Sequence, residues 1–251
     1  MNAKELKKLL SIGNGLNGNH PLPFLRTIVV SPETGTYWKT DLDNFLTIVD
    51  KSVHSGNSES TAGICVDFKE LVGVFGSLDN DVILEITGNE DKLTVVDNET
   101  TVNLLRSMVM EKVPRKFSIT NAVEIPIGKT DLLKALDSVE YAQSSDGNRP
   151  VLNGTLLRME NGNFRLASTD GNRLAMADVP IMQEETSAME HIVHRQVWEL
   201  LHKAISALGK DCQVTILIGD VIKYCISQPP VISNAIRVVI ENEIARVTIE
   251  R

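Results

Sequence analysis

One segment occurs twice in this chain, and that duplication limits its possible architectures more than any other feature. His20-Pro21-Leu22-Pro23-Phe24-Leu25 opens an apolar run that closes at Thr40-Asp41-Leu42-Asp43. Arg149-Pro150-Val151-Leu152-Asn153-Gly154 opens a second run, which closes at Thr169-Asp170-Gly171-Asn172-Arg173-Leu174. Pro21 to Asp41 and Pro150 to Asp170 are both 20 residues, and the two copies stand 129 apart in a chain of 251. Downstream, residues 66–88 resemble residues 193–219, with a helical pattern and then an apolar strand in each. A period of half the chain means two like domains, not a solenoid of short units. The expected domains are residues 1–118 and 119–251, each long enough to bury its own core.

Hydrophobic residues make up 42% and charged residues 23%, the balance of a globular protein in water. Aromatics are only 4%, so Val, Ile and Leu must build the cores. The net charge of -8 argues against a simple basic nucleic-acid binder. It does not exclude a protein with one basic face, because net charge averages over all faces. Cys65, Cys212 and Cys225 are widely spaced and form no C-x-x-C motif, which reads as buried thiols in a reducing cytoplasm. The N-terminus does not read as a signal peptide, and no apolar stretch is long enough to cross a membrane.

Residues 3–12 place Leu6, Leu9 and Leu10 on one helical face and Lys4, Lys7 and Lys8 on the other. Further helices are expected at 67–78, capped by Asp67, at 129–142 and at 195–208. Strands are expected at 22–30, 36–49, 82–86, 93–96, 101–105 and 123–127. Others should flank Asn161-Gly162-Asn163 and occupy 214–218, 221–226, 235–240 and 244–249. Residues 13–20, 53–61, 143–148 and 183–188 read as loops. The fold class is therefore α+β, antiparallel, with two helices per domain on one sheet face.

Catalytic patterns are missing. There is no phosphate-binding loop, no dinucleotide fingerprint and no nucleophile elbow. Asp41 and Asp43 could be imagined as metal ligands, but Asn172 stands where Asp43 would recur. His191-Ile192-Val193-His194 has a ligand-like spacing, but it straddles a strand-to-helix junction and lacks a third ligand. The expectation is a non-enzyme with no metal and no cofactor.

Arg149-Pro150-Val151-Leu152-Asn153-Gly154, followed by Ala167-Ser168-Thr169-Asp170-Gly171-Asn172-Arg173-Leu174-Ala175, resembles the middle-domain signature of the bacterial DNA sliding clamp, the beta subunit of DNA polymerase III. Leu22-Pro23-Phe24-Leu25 with Thr40-Asp41-Leu42 resembles the same part of that family's first domain. The chain departs from the family in having Asn172 where a histidine is usual, and in matching two of its three domains.

The resemblance implies two repeated DNA-clamp domains in a ring of six around duplex DNA, tethering a DNA polymerase after a clamp loader ATPase opens it. Two-domain chains would close that ring as a homo-oligomeric trimer. It further implies DNA contacts from Lys4, Lys7, Lys8, His20, Lys69, Lys134, Arg149, Arg195 and Lys203, through phosphates and without sequence reading. Leu152, Thr169, Gly171, Asn172, Arg173 and Leu174 match the pocket that receives short apolar partner peptides. Val102 and Leu104 align with apolar subunit-interface positions, on the edge strand 101–105; residues 246–249 are a second candidate edge. The alternative is a clamp-like interaction or regulatory module that does not encircle DNA.

Overall fold

The computed structural model describes residues 1–16, 21–53, 63–78, 81–98, 100–113, 119–160, 162–181, 189–209, 211–225 and 228–251. The chain divides into two compact units. The first is Met1–Lys116 with Lys203–Asp211 and Ile240–Ile249; the second is Phe117–His202 with Cys212–Val239 and Glu250–Arg251. The class is α+β with antiparallel sheets, as expected.

The elements run α1 (Ala3–Leu10), β1 (Thr27–Ser31), β2 (Thr36–Thr40), β3 (Phe45–Asp50), β4 (Ile64–Asp67), α2 (Phe68–Ser77), β5 (Glu85–Gly88), β6 (Lys92–Val96) and β7 (Thr101–Leu105). There follow β8 (Thr120–Ile127), α3 (Lys129–Val139), β9 (Gly154–Glu160), β10 (Asn163–Thr169), β11 (Leu174–Pro180), β12 (Met189–His194), α4 (Arg195–Leu208), β13 (Gln213–Cys225), β14 (Gln228–Glu241) and β15 (Ala245–Glu250).

Local chemistry sets the helix starts. Asn2 and Glu5 form a capping box on α1, each side chain bonding the other's backbone amide. Asp67 accepts from the Lys69 and Glu70 amides at the start of α2. Leu6, Leu9 and Leu10 of α1 are buried, as are Phe68, Leu71 and Phe75 of α2, and the two helices pack together. In the second unit α3 lies across β10 and β11, burying Leu132, Leu136 and Val139. Trp198 of α4 is fully enclosed. Each such aliphatic or aromatic side chain contributes roughly 1.5–3 kcal/mol of transfer free energy.

The duplication is visible in the strand order. The first unit contains β4-β1-β2-β3, and the second contains β12-β9-β10-β11. The offset between copies is not constant. Thr27 and Gly154 begin matching strands 127 apart; Thr40 and Thr169 end the next pair 129 apart; Phe68 and Arg195 begin matching helices 127 apart again. The cause is the first hairpin. Ser31 pairs with Thr36 around a four-residue 3-10 loop, whereas β9 and β10 continue to Glu160 opposite Asn163 and turn in two residues. Pro23, not Pro21, is therefore the counterpart of Pro150: each starts a 3-10 turn, Pro23–Arg26 and Pro150–Leu152.

Several expectations change. Residues 36–49 are not one strand but the hairpin of β2 and β3. Residues 22–26 lead into β1 through the 3-10 turn instead of starting the strand. Around 82–86, Ile83 makes only an isolated bridge with Asn2, and the strand begins at Glu85. Residues 214–225 form one strand, β13, where two were expected. Strands β4 and β11 were not anticipated, while the strand expected to run into the helix at 195 is β12. The segment 246–249 is not a free edge: β15 neighbours β3 and turns back from β14 through a hairpin in which Asn242 and Ala245 bond each other. The expected loop 183–188 and most of 53–61 lie outside the described residues.

One buried charge stands out in the first unit. Lys39 is 1% exposed; its ammonium donates to the Leu25 carbonyl and lies 5.2 Å from the Phe68 ring centroid. Burial lowers its pKa from 10.5 to about 8, against the opposing pull of Asp41 and Asp67. The matching position in the second copy is Ser168, whose hydroxyl shares a hydrogen bond with Thr155.

Candidate partner-peptide surface and basic helix faces

The turn joining β10 to β11 brings five of the six expected peptide-contact residues together. Thr169 Oγ1 donates to the Arg173 carbonyl at 2.7 Å and accepts from the Gly171 amide at 3.1 Å. Asp170 accepts from the Asn172 and Arg173 amides at 2.9 and 3.0 Å, and from Arg173 Nε at 2.9 Å. These amides, and then the Arg173 guanidinium, hold the Asp170 pKa below its usual value. Gly171 carries the left-handed φ of 93° that closes the turn. Thr169 and Asp170 are thereby committed to the turn itself, which leaves Gly171, Asn172, Arg173 and Leu174 to face outward.

Leu152, the sixth residue, is half-buried in the Pro150–Leu152 turn. Arg149 precedes that turn, and a methyl group added at Gly171 would stand 3.7 Å from its Nη1. The structure thus brings Arg149, expected on DNA, beside the same hairpin. Sequence reading missed Tyr141, whose ring lies 5.5 Å under the Arg173 guanidinium, and Met176, which follows Leu174 on the exposed face of β11. Leu174 and Met176 are 62% and 59% exposed. The alternation of β11, exposed Leu174 and Met176 against buried Ala175, was the available signal.

Cross-strand register extends this face. Met176 sits opposite Ala167, Ala167 opposite Leu156, and Leu156 opposite Ile192, making an apolar row across β11, β10, β9 and β12. The next row is charged: Asp178, Arg165, Arg158 and Glu190, with ion pairs of 2.7 Å (Arg165–Asp178) and 3.3 Å (Arg158–Glu190). The Arg165 guanidinium keeps the Asp178 pKa low. The apolar row is thus bounded along one side by charges fixed in ion pairs.

The expected DNA-facing cations are distributed unevenly. Lys4, Lys7 and Lys8 are all exposed on α1, against one acid, Glu5, which is held in the capping box. Lys69 of α2 is exposed beside Glu70, and Lys134 of α3 is exposed on a helix that also carries Asp131 and Asp137. Arg195 is paired with Glu199 at 3.5 Å, and Lys203 is exposed further along α4. His20 lies outside the described residues. Val102 and Leu104 of β7 sit opposite Val95 and Leu93 of β6; Leu104 is buried and Val102 half-buried. The strand itself ends the order β5-β6-β7.

His191 and His194 are three residues apart on a strand, which sends them to opposite faces and prevents a shared ligand. Burial, then Arg251, lowers the His191 pKa. The described residues bring Asp137, Glu140 and His202 together instead. No described helix is long and apolar enough to cross a membrane.

This architecture is that of the DNA clamps. The crystal structure of the DNA polymerase III subunit beta from Pseudomonas aeruginosa matches 99% of this chain and 63% of that one, with a TM-score of 0.74 and 24% identity. The Caulobacter crescentus pol III beta structure matches the same shares, with a TM-score of 0.71 and 20% identity. In sequence, residues 126–247 match the central domain of the DNA polymerase III beta subunit. The beta sliding clamp of Pseudomonas aeruginosa is 26% identical over 215 residues, 86% of this chain, and that of Chlamydia pneumoniae is 25% identical over 205 residues. The chain is thus similar to the DNA polymerase III beta subunits, with residues 126–247 matching their central domain. It spans 58% and 54% of the length of those two relatives.

Proposed function

We propose that this chain is a processivity clamp that encircles duplex DNA and tethers a DNA polymerase, with no chemistry of its own. The observation that carries the reading is the repeated clamp domain, in one strand order, with a lysine-rich α1. Lysines on a helix face attract phosphates without reading sequence, which is what a sliding contact needs. The hairpin at Gly171 and the apolar row behind it receive the polymerase's apolar peptide. A clamp loader ATPase opens the ring, and the cytoplasm is the compartment. The domains are clamp domain 1 at 1–118 and clamp domain 2 at 119–251. With two such domains per chain, six close as a head-to-tail trimer through main-chain pairing at the β7 edge.

The test is mass in solution by light scattering, followed by retention on circular and linearised DNA. A species near three times 27.6 kDa that stays on circles and slides off linear ends is the expected result. A monomer at every concentration would overturn the autonomous ring. That outcome would favour a clamp-like interaction module that does not encircle DNA. The balanced charge of α2 and α3 supports that second reading.

A further inference from the structure

Asp137 stands in the last turn of α3, Glu140 in the 3-10 turn that follows, and His202 in α4. One ligating atom of each lies within 4.8 Å of the other two. The three-residue spacing of Asp137 and Glu140 puts both carboxylates on one side of the helical stretch. His202 Nε2 is closed off from solvent and faces Glu140 Oε1 at 3.4 Å. An imidazole nitrogen that faces two carboxylates is the donor set of a transition-metal site. Beside it opens a cavity of about 230 Å³, lined by Glu140, Gln143, Arg195 and Glu199, which offers an entry path.

We propose that Asp137, Glu140 and His202 form a site for a divalent first-row transition-metal ion, of the Zn²⁺ or Mn²⁺ class. Two carboxylates neutralise the dication, and the imidazole nitrogen favours these ions over Mg²⁺ and Ca²⁺. Three protein ligands leave coordination positions open towards the cavity. Bonds of ~2.1 Å in a tetrahedral site set ligand atoms about 3.4 Å apart, the separation Glu140 Oε1 and His202 Nε2 already have, so Asp137 makes any remaining approach. Asp137 is exposed and free to make that movement. The ligand pattern was hidden in the sequence because the histidine follows the second carboxylate by 62 residues, a separation that matches no short motif.

The experiment is calorimetric titration of the chelator-stripped full chain with Zn²⁺, and spin-resonance titration with Mn²⁺, both without DNA. One equivalent per chain is expected, with affinity falling roughly tenfold or more in Glu140→Gln and His202→Ala. Asp137→Asn changes an exposed side chain, leaves folding intact and should weaken binding similarly. No stoichiometric uptake of either ion would overturn the proposal. So would equal binding by all three variants, which would assign the metal to the cysteines or other histidines. Because DNA is absent, failure here is distinct from failure of the ring.

Discussion

Leu42 and Gly171 occupy the same place in two copies of one hairpin turn, and both have left-handed backbones, with φ of 82° and 93°. The surrounding hydrogen bonds are the same. Thr40 Oγ1 donates to the Asn44 carbonyl at 2.8 Å and accepts from the Leu42 amide at 2.9 Å, as Thr169 does with Arg173 and Gly171. Asp41 accepts from the Asn44 amide at 2.7 Å, as Asp170 does from Arg173. The turn's hydrogen bonds are kept although Leu42, Asp43 and Asn44 stand where the second copy has Gly171, Asn172 and Arg173.

A leucine there is strained by about 1–2 kcal/mol, whereas glycine is not. Leu42 is half exposed, so removing its side chain forfeits little burial. Leu42→Gly should therefore stabilise the protein by about 0.5–1 kcal/mol after the glycine's extra unfolded-state entropy. Gly171→Ala should destabilise by about 1 kcal/mol. Urea-unfolding midpoints of both variants check the pair, and a lower midpoint for Leu42→Gly would refute the strain.

Lys39 makes stability depend on alkaline pH. Its folded pKa of about 8 lies below the unfolded 10.5, so between these values the unfolded chain binds more protons and stability rises with pH. The full difference corresponds to roughly 3 kcal/mol. Tyr37 acts oppositely: burial, then Asp50, raises its pKa, so above pH 10 the unfolded chain ionises first and stability falls. Unfolding free energies should rise from about pH 8 and turn over near pH 10. Lys39→Met should abolish the rise.

The apolar face of β11 is predicted to serve binding, not folding. Leu174→Asp and Met176→Asp alter exposed side chains, so unfolding midpoints should move by less than about 0.5 kcal/mol. Capture of an apolar peptide from a replicative polymerase should weaken at least about tenfold, as read by fluorescence polarisation. Unchanged affinity in both variants would remove this face from the proposed peptide site.

The cations of α1 should set the salt dependence of DNA retention. Each lysine withdrawn from a phosphate lowers the slope of log affinity against log salt by about 0.9. Lys7→Glu with Lys8→Glu should flatten that slope by about 2 and shorten retention on circular DNA, without changing the oligomer's mass. An unchanged slope would place the DNA path elsewhere.

The sequence was most legible where local rules agree. Helix α4 and strand β7 match their expected spans, because one has an unbroken helical period and the other lies between polar turns. The hairpin at residues 41–44 was read as continuous strand because β2 and β3 are buried throughout and no glycine marks the turn; Leu42 takes the place of one. In the second copy Gly171 is present, yet β11 was missed, since exposed Leu174 and Met176 blur the two-residue period. The residues around Gly171 were found by resemblance alone. Tyr141 and the Asp137–Glu140–His202 cluster depend on elements that meet only in the folded chain.

The longer hairpin of the second copy carries a lesson about how such a domain tolerates insertion. It has two more whole rungs on its ladder while exchanging four loop residues for two. A one-residue change to the ladder would have turned every later side chain of the strand over, sending Phe164 and Leu166 into solvent. Growth of this sheet is therefore quantised in steps of two, and a designer grafting a longer arm onto either copy should add residues in even numbers to each strand.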